Sequence, residues 1–329
     1  MRPGFDKTFP DECVRGYMRR SGGIECDVPS GAFLMPRISW LFLFSFFTGL
    51  TAIASTSTDG AQSGLMLPLR ENWFIQSSAE VHADGATISR PGFPTSDWYP
   101  ATLPSTVLSA LVEQKVYPDP YTGMNLRSIP GTTYPIFEDF ANIQMPPASP
   151  FRKSWWYRTE FKLSADYKGK TIWLGFDGIN YRANVWMNGV QIANSEHLAG
   201  TWRLFQFDVT ATAKPGDTNT LAIEVFPPQP RDLAITLVDW APMPPDKEMG
   251  IWRDAHISAT GPIRLSYPAV LTKLNLPSTN EAALVVRAEL TNSLDHPVDG
   301  VLKGQIEKIA FEQQVHLGAR ETQVVRFTS

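Results

Sequence analysis

The amino-acid sequence predicts an all-β protein, an antiparallel sandwich or jelly roll followed by part of a second β domain. Three observations carry that expectation. Apolar residues recur at every second position in run after run from Leu65 onward, with short turns between the runs. Asn188-Gly189 lies between two such runs, and Asn-Gly readily supplies the two positive-φ conformations of a type I′ hairpin. The composition joins 27 prolines, 23 glycines and 10 tryptophans to only 19% charged residues, which excludes a disordered chain, a coiled coil and a collagen-like repeat. A formal charge of -4 without any basic block argues against a nucleic-acid partner. Two cysteines are too few for a disulfide scaffold or a thiolate metal centre.

In chain order, residues 1–54 read as a leader. Trp40 to Ala54 is an uncharged run shorter than the roughly 20 residues that a membrane span needs. Arg37 precedes it, Ala52-Ile53-Ala54 matches a small-x-small cleavage pattern, and Met35 would open a signal peptide of ordinary proportions. The expected product is secreted and extracellular, with no cysteine and no membrane attachment after cleavage. A retained signal anchor is the alternative reading.

Strands are expected over Ser154–Leu163, Thr171–Asp177, Arg182–Ala193, Thr201–Val209, Asn219–Phe226, Leu233–Val238 and Trp252–Ala259. Lys214-Pro215-Gly216-Asp217 makes a turn between two of them. A helix is expected within Leu103–Gln114, where Val107, Leu108, Leu111 and Val112 recur at helical spacing behind Ser105 or Thr106 as caps. Tyr117–Arg152 holds seven prolines and reads as a long loop that covers or binds something. The character changes near Pro262–Pro268, and no tryptophan follows Trp252. The expected division is a leader at 1–54, a sandwich at 62–266 and a truncated immunoglobulin-like β-sandwich at 267–329. About 100 residues complete such a sandwich, so the shorter piece is expected to expose sheet edge and apolar surface.

Nucleophile motifs, phosphate loops and metal-ligand spacings are absent, so no cofactor or metal is expected. The five histidines are scattered. Val238–Asp254 (VDWAPMPPDKEMGIWRD) gathers Asp239, Asp246 and Glu248 with Trp240 and Trp252 where prolines prevent a helix or central strand. Carboxylates accept hydrogen bonds from sugar hydroxyls or an ammonium, and indole faces pack on sugar C–H surfaces. The plainer reading is a proline-rich loop with acidic turn residues and tryptophans in the core. Trp155, Trp173 and Trp186 sit at strand periodicity and read as core, while Arg158, Glu160 and Lys162 read as a solvated face.

The same segment resembles the end of the amino-terminal sugar-binding domain of glycoside hydrolase family 2, especially its exo-β-D-glucosaminidases. VYPDPYTGMN (116–125), FRKSWWYRTEF (151–161), LGFDGINYRANVWMNGVQIA (174–193) and GIWRDAHI (250–257) agree in the same order. The family's β-mannosidases are the next resemblance. The resemblance implies a galactose-binding-like jelly roll with an immunoglobulin-like domain after it, and a retaining exo-glycosidase whose catalytic carboxylates stand in a (β/α)₈ barrel. A barrel needs about 250 further residues, so no catalytic residue is assigned in this chain and it is expected to be inactive alone. The resemblance implies Asp239 as an acceptor for sugar hydroxyls and Trp240 as a wall. Asp246, Glu248, Asn180 and Tyr181 are weaker candidates for the same edge. The expected partner is a carbohydrate, a chitosan oligosaccharide or a mannoside; a stand-alone carbohydrate-binding protein is the alternative function. Oligomeric state stays open.

Overall fold

The computed structural model describes residues 65–132, 144–235, 243–306 and 308–328. The expected leader, Asp239 and Trp240 lie outside the described residues.

The alternating runs become two antiparallel sheets. In chain order they supply β1 (Met66–Pro68), β2 (Trp73–Ser77), α1 (Gly85–Ile88), β3 (Tyr99–Ala101), β4 (Ser105–Thr106), α2 (Val107–Glu113), β5 (Trp155–Lys162), β6 (Thr171–Phe176) and β7 (Arg182–Met187). They continue with β8 (Val190–Ala193), β9 (Phe205–Asp208), β10 (Thr218–Phe226), β11 (Gly250–Ile251) and β12 (Ala255–Thr260). One sheet has the order β3-β2-β5-β10-β7-β8 and the other β1-β12-β6-β9, with β4 and β11 paired beside them. Asn188 and Gly189 take φ values of 51° and 88° and close the β7–β8 hairpin as their sequence predicts.

Register decides which side chains meet. Ile75, Tyr157, Ile223 and Val185 stand opposite one another on four adjacent strands, and all are fully buried. A large apolar side chain buried this way contributes about 1.5–3 kcal/mol. Leu174 and Ile257 pair on the facing sheet and are also fully buried. Trp155 and Trp173 are buried, as their periodicity predicts, while Trp186 is part-buried on the outer face against Trp156.

That outer face corrects one expectation. Arg158 is not solvated: it is 3% exposed, donates to the Ile88 and Arg90 carbonyls at 2.9 Å each, and is ion-paired with Glu160. The physical reason is a cover absent from local periodicity. The connection carrying α1 lies over this face, where Ile88 and Trp98 pack with Trp156 and Ala222. A guanidinium enclosed in this way needs its donors satisfied, and the carbonyls at and just after the end of α1 supply acceptors.

Thr106 caps α2, accepting from Ser109 N at 3.2 Å while Thr106 N donates back to Ser109 Oγ at 2.8 Å. In the long proline-rich loop, Ile129, Met145 and Phe151 are buried against the core, so its described part covers the sandwich.

Beyond the sandwich, β13 (Ile263–Leu274), β14 (Ala282–Asn292) and β17 (Thr322–Thr328) form one sheet. Between them in sequence, β15 (Val298–Ile306) and β16 (Ile309–Leu317) form a hairpin. Phe311 meets Phe327 at 4.7 Å and joins the hairpin to the sheet. Leu265, Val270 and Leu274 lie opposite Leu290, Val286 and Ala282, on the face that carries the small core of Leu290 and Val325. They nevertheless remain 49%, 51% and 44% exposed. β13 is an edge strand, so apolar side chains and unpaired backbone groups are offered together. The chain on its own is expected to self-associate, with a sedimentation coefficient that rises with concentration, and Val270→Lys with Leu274→Lys is expected to suppress the rise. A concentration-independent monomer for the unaltered chain would count against this account.

Candidate functional site

Four segments converge at one end of the sandwich: residues 177–181 after β6, residues 199–203 before β9, the turn 243–250, and the start of α2. The expected strands are shorter here. Thr201–Leu204 forms a turn before β9, Trp252–Ala259 becomes a strand only at Ala255, and of the strand expected over Leu233–Val238 the part to Ile235 is irregular and the rest lies outside the described residues.

The turn 243–250 contains consecutive left-handed residues that are not glycine, Lys247 at φ 51° and Glu248 at φ 56°. Each such residue costs about 1–2 kcal/mol, so neighbours must hold it. Asn180 Nδ2 donates to the carbonyls of both, at 2.9 Å to Lys247 and 3.0 Å to Glu248. The Asn180 backbone exchanges both hydrogen bonds with Gly250 at 2.9 Å, and its Oδ1 accepts from Thr201 Oγ1 at 2.8 Å. Gly250 has φ 152°, and a Cβ there would stand 2.6 Å from the Ser105 carbonyl and the Tyr157 hydroxyl. Only glycine fits that crossing.

Asp246 fixes the other side of the turn. Its carboxylate accepts Leu108 N at 2.8 Å and Glu248 N at 2.9 Å, while Met249 O accepts Val107 N at 2.8 Å. With the Thr106–Ser109 cap, the first N–H groups of α2 are all satisfied. Asp246 is 1% exposed, and burial pushes its carboxyl up to about 6, against the lowering effect of the N–H donors. Glu248 is half-buried and is also raised, first by burial and then by the charge of Asp246. It lines, with Lys247, Met243, Ile235 and Gln229, a recess of about 20 Å³. That is room for one water and not for a sugar ring.

The six residues expected at a sugar therefore divide. Asn180 and Asp246 turn inward and spend their polar atoms on backbone groups and, for Asn180 Oδ1, on the Thr201 hydroxyl, because left-handed carbonyls and helix N–H groups compete for them first. Glu248 stands at the rim. Tyr181 is part-exposed beneath the Arg182 guanidinium at 5.1 Å, and Arg182 is ion-paired with Asp232. Asp239 and Trp240 fall outside the described residues.

Sequence reasoning passed over two neighbours. Thr201 is 1% exposed; its hydroxyl donates to Asn180, and its carbonyl accepts the Trp252 indole N–H at 3.1 Å. Trp202 is 65% exposed and meets Trp252 edge-to-face at 4.6 Å. The available signal was Gly200, whose φ of 128° ends any strand before Thr201.

Comparison with known proteins identifies the domain that carries this frame. A family described as glycosyl hydrolase 2 galactose-binding domain-like matches residues 148–256. The chain is 36% identical to an exo-beta-D-glucosaminidase of Streptomyces avermitilis over 83% of its own length, which is 28% of that relative. The crystal structure of the Amycolatopsis orientalis exo-chitosanase superposes with a TM-score of 0.69 at 32% identity, covering 80% of this chain and 28% of that one. This chain carries a glycoside hydrolase family 2 galactose-binding-like domain. A mannosylglycoprotein endo-beta-mannosidase of Lilium longiflorum is 27% identical over 79% of the chain. The family 2 match includes Asn180, Thr201, Asp246, Glu248 and Trp252, so the polar frame belongs to the family domain, while the α2 end that Asp246 caps precedes the matched span. The chain spans less than a third of the length of the curated relatives it matches.

Asp246 sets a pH dependence with a definite sign. Its folded pKa of about 6 lies above the ordinary 3.8, so the folded state holds the proton more tightly than the unfolded state does. Stability contributed by this group rises as pH falls through about 6 and levels off below about 4, a span of about 3 kcal/mol. Urea midpoints are expected to climb between neutral pH and pH about 5, and Asp246→Asn to flatten the climb; a flat profile in the unaltered chain would refute it. Asn180→Ala leaves two turn carbonyls without their donor and is expected to cost about 3 kcal/mol in urea unfolding, against less than about 1 kcal/mol for Tyr181→Phe at the rim.

Proposed function

We propose that this chain is the sugar-binding, non-catalytic portion of a secreted family 2 glycosidase that removes terminal β-glucosamine from chitosan oligosaccharides. The observation that carries this reading is the identity shared with a protein named exo-beta-D-glucosaminidase over most of the chain. Retaining hydrolysis needs two carboxyl groups about 5 Å apart facing one bond. The described acidic pair does not suit that task, because Asp246 is enclosed and committed to Leu108 and Glu248. A binding role needs less: a rigid rim, an indole wall and a carboxylate able to face an ammonium. Asp239 and Trp240 are assigned to sugar contact, with Glu248 and Tyr181 beside them. Trp40–Ala54 supports export, with Ser55 as the first residue after cleavage.

The Lilium longiflorum relative supports a second reading, in which the same rim takes a mannoside. Calorimetry with glucosamine and mannose oligomers separates the two. The expected outcome is binding of glucosamine oligomers at millimolar concentration, weakened roughly tenfold by Asp239→Ala, with no release of glucosamine by the chain alone. Tighter binding of mannose oligomers would select the second reading. Release of glucosamine would overturn the non-catalytic role, and no binding of either oligomer would overturn the carbohydrate reading.

A further inference from the structure

An exposed aromatic surface on a fixed support near the frame lies outside the residues assigned to the sugar above. Trp252 is held in one orientation: its indole N–H is spent on the Thr201 carbonyl, and its ring meets the Arg253 guanidinium at 5.7 Å. Gly178 leaves room for both side chains, since a Cβ there would stand 2.7 Å from the Trp252 indole nitrogen and 3.0 Å from Arg253. Trp202 rests edge-to-face on this fixed ring, yet most of its own surface faces solvent. The backbone beneath Trp202 is also fixed, because the buried Thr201 hydroxyl donates to Asn180 Oδ1 at 2.8 Å, with the Leu233 carbonyl 3.3 Å away. A soluble domain that holds a large flat indole outward on a rigid turn offers a stacking surface.

Charge at this surface selects the ligand. Arg253 follows Trp252 and is exposed, and among the described residues it is not within salt-bridge distance of a carboxylate, whereas Arg203 turns away, donating to the Ala199 carbonyl at 3.0 Å and standing over the Phe205 ring at 4.9 Å. Nearby Asp254 is already paired with Arg70 at 3.3 Å. Guanidinium groups donate to hydroxyl and acetamido oxygens, and they repel an ammonium. We propose that Trp202, supported by Trp252 with the Arg253 guanidinium beside it, is a carbohydrate subsite for an uncharged pyranose, such as an N-acetylated residue of a partly acetylated oligomer. This rests on the carbohydrate reading above and adds to it a residue that discriminates by charge. A partly acetylated glycan would meet the chain at two kinds of contact, one suited to its free amines and one to its acetylated residues.

The test uses the full chain and two probes, the tetramer of N-acetylglucosamine and the tetramer of glucosamine, titrated at pH about 5 where the amines are charged. Tryptophan fluorescence and calorimetry are read together. The acetylated tetramer is expected to bind, with Trp202→Ala weakening it roughly tenfold and Trp202→Phe by less than about threefold. Arg253→Glu keeps both indoles and the Trp252–Thr201 hydrogen bond and is expected to shift preference toward the charged tetramer by roughly tenfold, while Arg253→Gln, which removes only the charge, is expected to bind the acetylated tetramer within about threefold of the unaltered chain. Equal affinity of Trp202→Ala and the unaltered chain for the acetylated tetramer would overturn the proposal. If Asp239→Ala abolishes binding of the charged tetramer while Trp202→Ala changes neither probe, the carbohydrate reading stands and this subsite falls. If neither tetramer binds at millimolar concentration, both fall. Self-association lost on Trp202→Ala, with no glycan binding, would reassign the surface to a protein contact and overturn the proposal.

Discussion

A carbonyl held in a left-handed turn and shielded from water must find a donor, and at Lys247 and Glu248 both carbonyls find the same one, the amide of Asn180. The choice of side chain follows from its inventory. Asparagine offers two N–H donors and one acceptor on a short stem, and here the acceptor takes the Thr201 hydroxyl. Aspartate has no donor at neutral pH, and glutamine is one carbon too long to keep the backbone pairing with Gly250. Through Thr201 the same residue reaches the Trp252 indole and the Leu233 carbonyl. One amide thus ties together the turn before β11, the turn before β9 and the chain leading toward the segment that holds Asp239.

Asp246 completes the frame at a different cost. An enclosed carboxylate loses hydration that its N–H donors only partly replace, which is why its pKa is raised. The return is geometric, since the carboxylate joins the turn to the N-terminus of α2 and both must move together. A strained turn persists where a rigid sheet supports it, and the row of Ile75, Tyr157, Ile223 and Val185 is that support. Arg158 shows the contrasting solution on the outer face, where a buried charge is satisfied by the Ile88 and Arg90 carbonyls and Glu160.

The two β assemblies differ in how far their apolar faces are closed. The sandwich faces its sheets on each other and covers its outer side with Trp98, Trp156 and Ile88. The sheet of β13, β14 and β17 has only the β15–β16 hairpin, joined through Phe311 and Phe327, and leaves Val270 and Leu274 about half open. The residues that match the family 2 domain, 148–256, all lie in the closed sandwich and its loops.

Much of the architecture was legible in residue order because the signals are local. Side chains on a strand alternate by geometry, Asn188-Gly189 accepts positive φ, and Thr106 with Ser109 forms a cap within one turn of helix. The motif order was legible too, and it identified the family domain. The burial of Arg158 was not legible, because the cover comes from residues around α1, some seventy positions earlier. Nor were the roles of Asn180 and Asp246, whose partners at Lys247 and Leu108 lie far away in sequence. Amino-acid order alone assigned strands, hairpin, helix cap and family, since each depends on neighbours along the chain. Which polar groups face a ligand and which are spent on the backbone was decided by folding, because only the folded chain shows which carbonyls and N–H groups lose water and must be satisfied first.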